Sequence, residues 1–280
     1  MTTSYFEDQN NRIPGSIKIL FSILLLASSL TLLGQAEEAK LRYRIEAKTF
    51  DSGEADIRKV LDYTARPLWK NFPGYKVEPM VITKSNSGPI VIFQRNARQE
   101  IVVKLDTHKT YWSQYAYQWA HELCHVLCGF REDGQDNKWF EETLCELASL
   151  YCMRAMVSDW ENKPPYPHWK NYSKSLQDYV DNVISQYEKV DMLGLAEYYK
   201  KHEGELRKSA TLRNLNGTMA AALLPVFEKN PQHWEAIRYL NLTPAKPGLT
   251  LKQYLAKWKK DAPKKHHLFI EGIARVYGLE

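Results

Sequence analysis

The sequence predicts an α+β fold in which a small sheet precedes a mostly helical chain. Two observations lead to this prediction. Short β-branched runs separated by turn residues lie between residues 75 and 105. From residue 112 onward, apolar residues recur at intervals of three and four, and no convincing strand pattern follows. The chain has 280 residues and 44% hydrophobic content, enough for one large domain or two small ones.

The first 36 residues have the pattern of a secretory signal peptide. Arg12 and Lys18 precede an apolar run at residues 19–33, and small residues follow it. The run is shorter than the roughly 20 residues of a membrane-spanning helix. We therefore predict an exported protein, secreted or periplasmic. The alternative is an uncleaved N-terminal helix that tethers the chain to a membrane through residues 13–34.

The predicted elements then follow in order. A helix with N-cap residues at 51 and 52 is kinked or shortened by Pro67, and a strand over 75–83 is interrupted by Pro79. Two more strands follow at 90–93 and 101–105. Two long helices are predicted at about 112–128 and 139–157. Five shorter helices come after them, at about 174–189, 195–208, 219–229, 233–240 and 251–259. This order predicts an α+β half at 37–160 and a helical half at 161–280.

The first long helix carries an H-E-x-x-H motif, His121-Glu122-Leu-Cys-His125. Residues four apart lie one turn above each other on the same helix face, so both imidazoles can bind one zinc ion. Glu122 lies beside them and can take a proton from zinc-bound water. A catalytic zinc site also needs a third protein ligand and an open fourth position.

Two carboxylates on the next helix, Glu142 and Glu146, are candidates for the third ligand. They are four residues apart, so both can face the same side, and their apolar neighbours predict a largely buried helix. A buried carboxylate needs a cation or hydrogen-bond donors. Zinc meets that need for one Glu, and the N–H of a zinc-bound imidazole meets it for the other.

The two motifs together resemble the gluzincin metallopeptidases, the superfamily of thermolysin and the membrane alanyl aminopeptidases. In that superfamily H-E-x-x-H is followed by a helix with W-[LF]-x-E-G-x-A, and Trp139-Phe-Glu-Glu-Thr-Leu-Cys is similar to it. The resemblance implies a zincin-like fold, with its small mixed sheet packed on the motif helix. It implies that Glu142, not Glu141, is the third ligand and that Glu146 bonds the first His. The G-x-M-E-N signature of aminopeptidases is absent.

The implied function is a zinc-dependent metallopeptidase with one catalytic Zn²⁺, held by His121, His125 and Glu142. Glu122 is the expected base, and a peptide or protein is the expected substrate, its strand pairing with the sheet edge near residues 88–93. The resemblance also implies an oxyanion-stabilising Tyr or His, and the sequence does not choose among the possible residues, which are Tyr166, His168, Tyr198, Tyr199 and His202. The alternatives are a non-catalytic zinc-binding module for a protein or cell-envelope partner, and a structural protein with an accidental motif.

Charge and cysteine content limit the remaining functions. The formal charge of +5 is a mild excess, and no nucleic-acid-binding motif accompanies the C-terminal lysines, so we expect no nucleic-acid partner. The oligomeric state is not predicted. An exported chain could pair its four cysteines in three ways. Buried free thiols and a second zinc site are the alternatives; the cysteines are Cys124, Cys128, Cys145 and Cys152.

Overall fold

The computed structural model describes residues 41–131 and 136–279, and the predicted signal peptide or membrane tether lies outside these residues. The chain has an α+β fold with a small mixed sheet, in agreement with the predicted class. Its strands are β1 (Tyr43–Ile45), β2 (Met80–Lys84), β3 (Ile90–Ile92) and β4 (Ile101–Leu105).

The sheet has the order β1-β2-β4-β3. Strands β1, β2 and β4 are parallel, whereas β3 is antiparallel to β4, with Val91 opposite Val103. Parallel neighbours need a crossover, and helix α1 (Glu54–Trp69) connects β1 to β2. Strand β3 has one neighbour in the described sheet, so it forms an edge that can accept another strand.

The two sequence motifs lie on the two long helices that follow the sheet, α2 (Trp112–Leu127) and α3 (Lys138–Asn162). Helix α3 buries residues on all of its sides, including Trp139, Phe140 and Trp160, which is typical of a helix in the middle of a core. It packs against α1 and α2 on one side and against helices of the C-terminal half on the other. The H-E-x-x-H motif and the predicted third ligand therefore lie on two helices that pack directly against each other.

The rest of the described chain is helical. It contains α4 (Tyr172–Ser185), α5 (Leu195–Leu206), α6 (Arg213–Lys229), α7 (Leu251–Asp261) and α8 (His267–Val276), with short 3-10 segments between them. Thr250 caps α7 through a reciprocal bond with Gln253. No helix in the described part of the chain is both long and apolar enough to span a membrane.

Gly129 brings the C-terminal half against the end of α2. Its φ of +87° is left-handed, and a Cβ there would lie 3.1 Å from the backbone of Asn241. The amide N–H of Asn241 donates to the carbonyl of Cys128 at 3.1 Å. Glycine thus both ends the motif helix and allows a distant segment to lie beside it.

Several local predictions differ from the structure. Pro67 lies inside α1, which continues to Trp69. The strand predicted at 75–83 begins only at Met80, directly after Pro79. Residues Pro231–Tyr239 form a 3-10 helix, and α8 was not predicted. All four cysteines are buried and free, in agreement with the free-thiol alternative.

Candidate metal centre

The structure brings His121, His125 and Glu142 together across the α2–α3 contact. The oxygen Oε2 of Glu142 lies 3.4 Å from Nε2 of His121 and 3.6 Å from Nε2 of His125. Tetrahedral zinc with bonds of 2.0–2.1 Å separates its ligand atoms by about 3.3 Å. The donor set and its spacing therefore fit a zinc ion with two imidazoles and one carboxylate.

The charges in this cluster also suit a cation. Burial would raise the pKa of Glu142, but the two facing imidazoles hold it well below its usual range. Burial would lower the pKa of His125, but the neighbouring carboxylates of Glu141 and Glu142 raise it well above its usual value. Two ionised carboxylates thus enclose one imidazole, and positive charge is what this arrangement stabilises.

A thiol lies close to the same histidines. The sulfur of Cys145 and one ring nitrogen each of His121 and His125 lie within 4.8 Å of one another. Cys145 is fully buried, and burial raises the pKa of its thiol well above its usual range. The side chain of Glu142 is 13% exposed, on the cleft side. Glu142 is therefore the more accessible of these two possible third ligands.

The second histidine is held by a network that the sequence analysis did not find. Nδ1 of His125 lies 2.6 Å from Oε1 of Glu141. The other oxygen of Glu141 accepts from Asn241 at 2.8 Å and pairs with Lys138 at 3.0 Å. Tyr254 in turn donates to Oδ1 of Asn241 at 2.9 Å. This network fixes the ring so that its Nε2 faces Glu142.

The first histidine lies near Glu146, to which the resemblance assigns a bond with this residue. Nδ1 of His121 lies 3.6 Å from Oε2 of Glu146, which is an ion-pair distance and longer than a hydrogen bond. The hydroxyls of Tyr117 and Tyr187 both donate to the other oxygen, Oε1. Burial raises the pKa of Glu146, while the Tyr187 bond acts in the opposite direction.

The predicted base, Glu122, is 3% exposed and lines the cleft that leads to the histidines. Burial raises the pKa of its carboxyl group, whereas the charges of His121 and His125 and a hydrogen bond from the backbone of Val91 lower it. Because Val91 belongs to edge strand β3, the base and the sheet edge lie next to each other.

A cleft of about 780 Å³ contains all of these groups. It is lined by the sheet edge from Gly88 to Phe93, by the two motif helices, and by α4 and the start of α6. The tyrosines in it are Tyr117, Tyr179 and Tyr187. The residues considered from sequence for oxyanion stabilisation do not line it; they are Tyr166, His168, Tyr198, Tyr199 and His202.

The missed residues had weak signals in the sequence. The aromatic residues next to Glu141 in the sequence indicate that it is buried. Its partner Asn241 is 100 residues away, so the sequence does not indicate the contact between them. Asn241 and Asn216 each begin an N-glycosylation sequon, yet they are 1% and 4% exposed in the fold.

Comparison of the chain with known protein families, curated proteins and solved structures finds no match.

Proposed function

We propose that the protein is a zinc-dependent metallopeptidase with a zincin-like catalytic core. The observation that carries the proposal is the single oxygen of Glu142 at 3.4 and 3.6 Å from the Nε2 atoms of His121 and His125. These three residues would hold the ion. When bound, zinc supplies Lewis acidity, which favours water as a nucleophile near neutral pH and polarises a carbonyl group.

The chain's own residues supply the proton transfers. Glu122 is buried beside both histidines, where burial raises its pKa and favours its acting as a general base and then as a general acid. It takes a proton from the attacking water and returns it to the leaving amine. The half-buried Tyr179 lines the same cleft and is our candidate for donating a hydrogen bond to the oxyanion.

Strand β3 provides the binding mode for an extended peptide. It is the sheet edge that lines the cleft, and Ile90 on it is 49% exposed. An added peptide strand would hydrogen-bond to this edge and pass over Glu122 and the two histidines. The substrate class that suits such a groove is an extended peptide or an unfolded segment of a protein.

The first experiment measures zinc content in the purified chain and in two variants. We expect about one zinc per chain, lost or much weakened in Glu142→Ala and retained in Cys145→Ser. Peptide hydrolysis that needs zinc and disappears in Glu122→Gln completes the test. Loss of zinc in Cys145→Ser with retention in Glu142→Ala would refute the ligand assignment.

The second candidate function is a non-catalytic zinc-binding module. The observation in its favour is the fully buried Cys145 thiol near the histidines, because a His2Cys site would be closed to substrate. In that case zinc binds, but no peptide in a broad mixture is cleaved and Glu122→Gln has no effect. The accessible position of Glu142 favours the peptidase.

A further inference from the structure

Asp106 follows strand β4 and lines the cleft beside helix α2. One side chain of α2 bonds its backbone in both directions. The N–H of Asp106 donates to Oε1 of Gln118 at 2.8 Å, and its carbonyl accepts from Nε2 of Gln118 at 2.9 Å. Gln118 stands three residues before His121, or about 4.5 Å along the helix axis. The motif helix thus fixes Asp106 about one turn before the metal centre.

The side chain of Asp106 has one bonded oxygen and one open oxygen. Oδ2 accepts from the backbone N–H of Gly88 at 2.8 Å, in the turn before edge strand β3. Among the described residues, no donor bonds to Oδ1 and no cation pairs with the carboxylate. The side chain is half-buried, and Oδ1 is open to solvent. A carboxylate that is partly removed from water and held in one orientation is suited to a cationic donor.

The other carboxylates of the cleft belong to the metal centre. Glu142 faces the two histidines. Glu146 accepts from the hydroxyls of Tyr117 and Tyr187, and Glu122 is the proposed base. Within the described part of the cleft, Asp106 is therefore the carboxylate that the proposed chemistry does not use.

Strand β3 gives the distance between Asp106 and the reacting bond. The backbone of Val91 hydrogen-bonds to Glu122, whereas Gly88, three residues earlier, donates to Asp106. An extended chain advances about 3.3 Å per residue, so three residues cover about 10 Å. A peptide paired with β3 would therefore bring to Asp106 a residue that lies two or three positions from the one beside Glu122.

We propose that Asp106 binds a cationic group of the peptide substrate, two or three residues from the scissile bond. Oδ1 accepts from the cation, while Oδ2 keeps its bond to the N–H of Gly88. The side chain of a Lys or Arg residue carries such a group, and so does a free N-terminus. The proposal rests on the peptidase function and specifies its substrate class.

The test is peptide binding to the zinc-loaded Glu122→Gln chain, measured by fluorescence anisotropy. Three labelled peptides of one neutral sequence are compared: an N-acetylated peptide with a single Lys, the same peptide with Gln in its place, and the Gln peptide with a free N-terminus. We expect at least one cationic peptide to bind about tenfold more tightly than the neutral one, with a smaller difference at high salt. Each cationic peptide that shows the preference identifies a source of the cation.

Variants then connect the preference to the site. Asp106→Asn removes the charge and keeps an oxygen that can accept from Gly88, so it should bind the three peptides equally. Asp51→Asn changes an exposed aspartate outside the cleft and should keep the full preference. A role of Asp106 in supporting the turn alone would affect all three peptides alike. Equal binding of the three peptides by the parent chain, or an undiminished preference in Asp106→Asn, overturns the proposal.

Hydrolysis by the chain with Glu122 intact separates this proposal from the peptidase function. Mass spectrometry of the products should place the cationic group two or three residues from the cleaved bond, on the same side of it in every product. Cleavage of neutral and cationic peptides without any preference refutes the Asp106 site alone. A cation preference that depends on Asp106, with no cleavage of any peptide, refutes the peptidase function and leaves the binding site in place.

Discussion

Glu141 offers a sharp test of how the metal centre is held. Its two oxygens face three donors: His125 on one side, and Asn241 and Lys138 on the other. Glu141→Gln keeps the shape but must point its NH2 group either at His125 or at both Asn241 and Lys138. The side chain therefore loses one acceptor and its charge, and a buried donor loses its partner.

The expected size of the effect follows from that loss. Partners that orient metal ligands typically account for about 10- to 100-fold in metal affinity, which equals roughly 1.4–2.7 kcal/mol at 25 °C. We therefore expect Glu141→Gln to bind zinc at least about tenfold more weakly. The unpaired donor should also lower the free energy of unfolding by about 1–3 kcal/mol.

The assay is a competition titration of zinc against a chromophoric chelator at fixed pH, together with urea unfolding of the metal-free chain. Glu161→Gln is the matched control, since Glu161 is an exposed residue of the same helix. A zinc affinity of Glu141→Gln within twofold of the parent would refute the role of this network in orienting His125.

Three further predictions concern other parts of the fold. A Cβ at Gly217 would lie 2.1–2.6 Å from ring atoms of Tyr187, so Gly217→Ala should move that ring from Glu146 and weaken zinc binding about tenfold. The bonds from Arg44 hold the pKa of Glu100 at about 2, below its usual 4.5. Their contribution to the free energy of unfolding is complete above about pH 4.5 and disappears as the pH falls towards 2, so Glu100→Gln should show a smaller drop in melting temperature over this range. The four thiols should react with a thiol reagent only in denaturant, because all four are buried.

Each of these predictions has its own control. Gly204→Ala is a helical substitution with nothing within 4 Å of the added Cβ, and it should leave zinc binding unchanged. Zinc affinity in Gly217→Ala equal to that of Gly204→Ala contradicts the first prediction. An acid-induced drop as large in Glu100→Gln as in the parent contradicts the second. Rapid reaction of any thiol in the native chain contradicts the third.

The sequence was informative where neighbours along the chain decide the structure. The spacing of His121 and His125 is a property of one helix, and the β-branched runs at 90–93 and 101–105 became strands. A helix was expected at 233–240, and Pro231–Tyr239 form a 3-10 helix instead of an α-helix, since local propensity separates these two forms poorly. The apolar residues of helix α8 recur at helical intervals from Phe269 to Tyr277. Gly272 in its middle weakens that pattern, and the helix was not predicted.

Contacts between distant residues could not be predicted in this way. Nothing in the local sequence pairs Glu141 with Asn241, or Tyr187 with Glu146, because the packing of α3 against the C-terminal half creates both contacts. The resemblance assigned a role to Glu146 but gave none to Glu141. A burial pattern can indicate that a carboxylate needs partners, while the identity of those partners depends on the whole fold.

The bond between Glu141 and Asn241 also has a consequence for the time at which the protein matures. Ribosomes add about 5–20 residues per second, and 100 residues separate the two side chains. His125 precedes Asn241 by 116 residues, so it leaves the ribosome about 6–23 seconds before the residue that completes its support. During that interval the nascent chain has its histidines but not the finished site, so we expect the proposed zinc ion to bind with high affinity only to the completed chain.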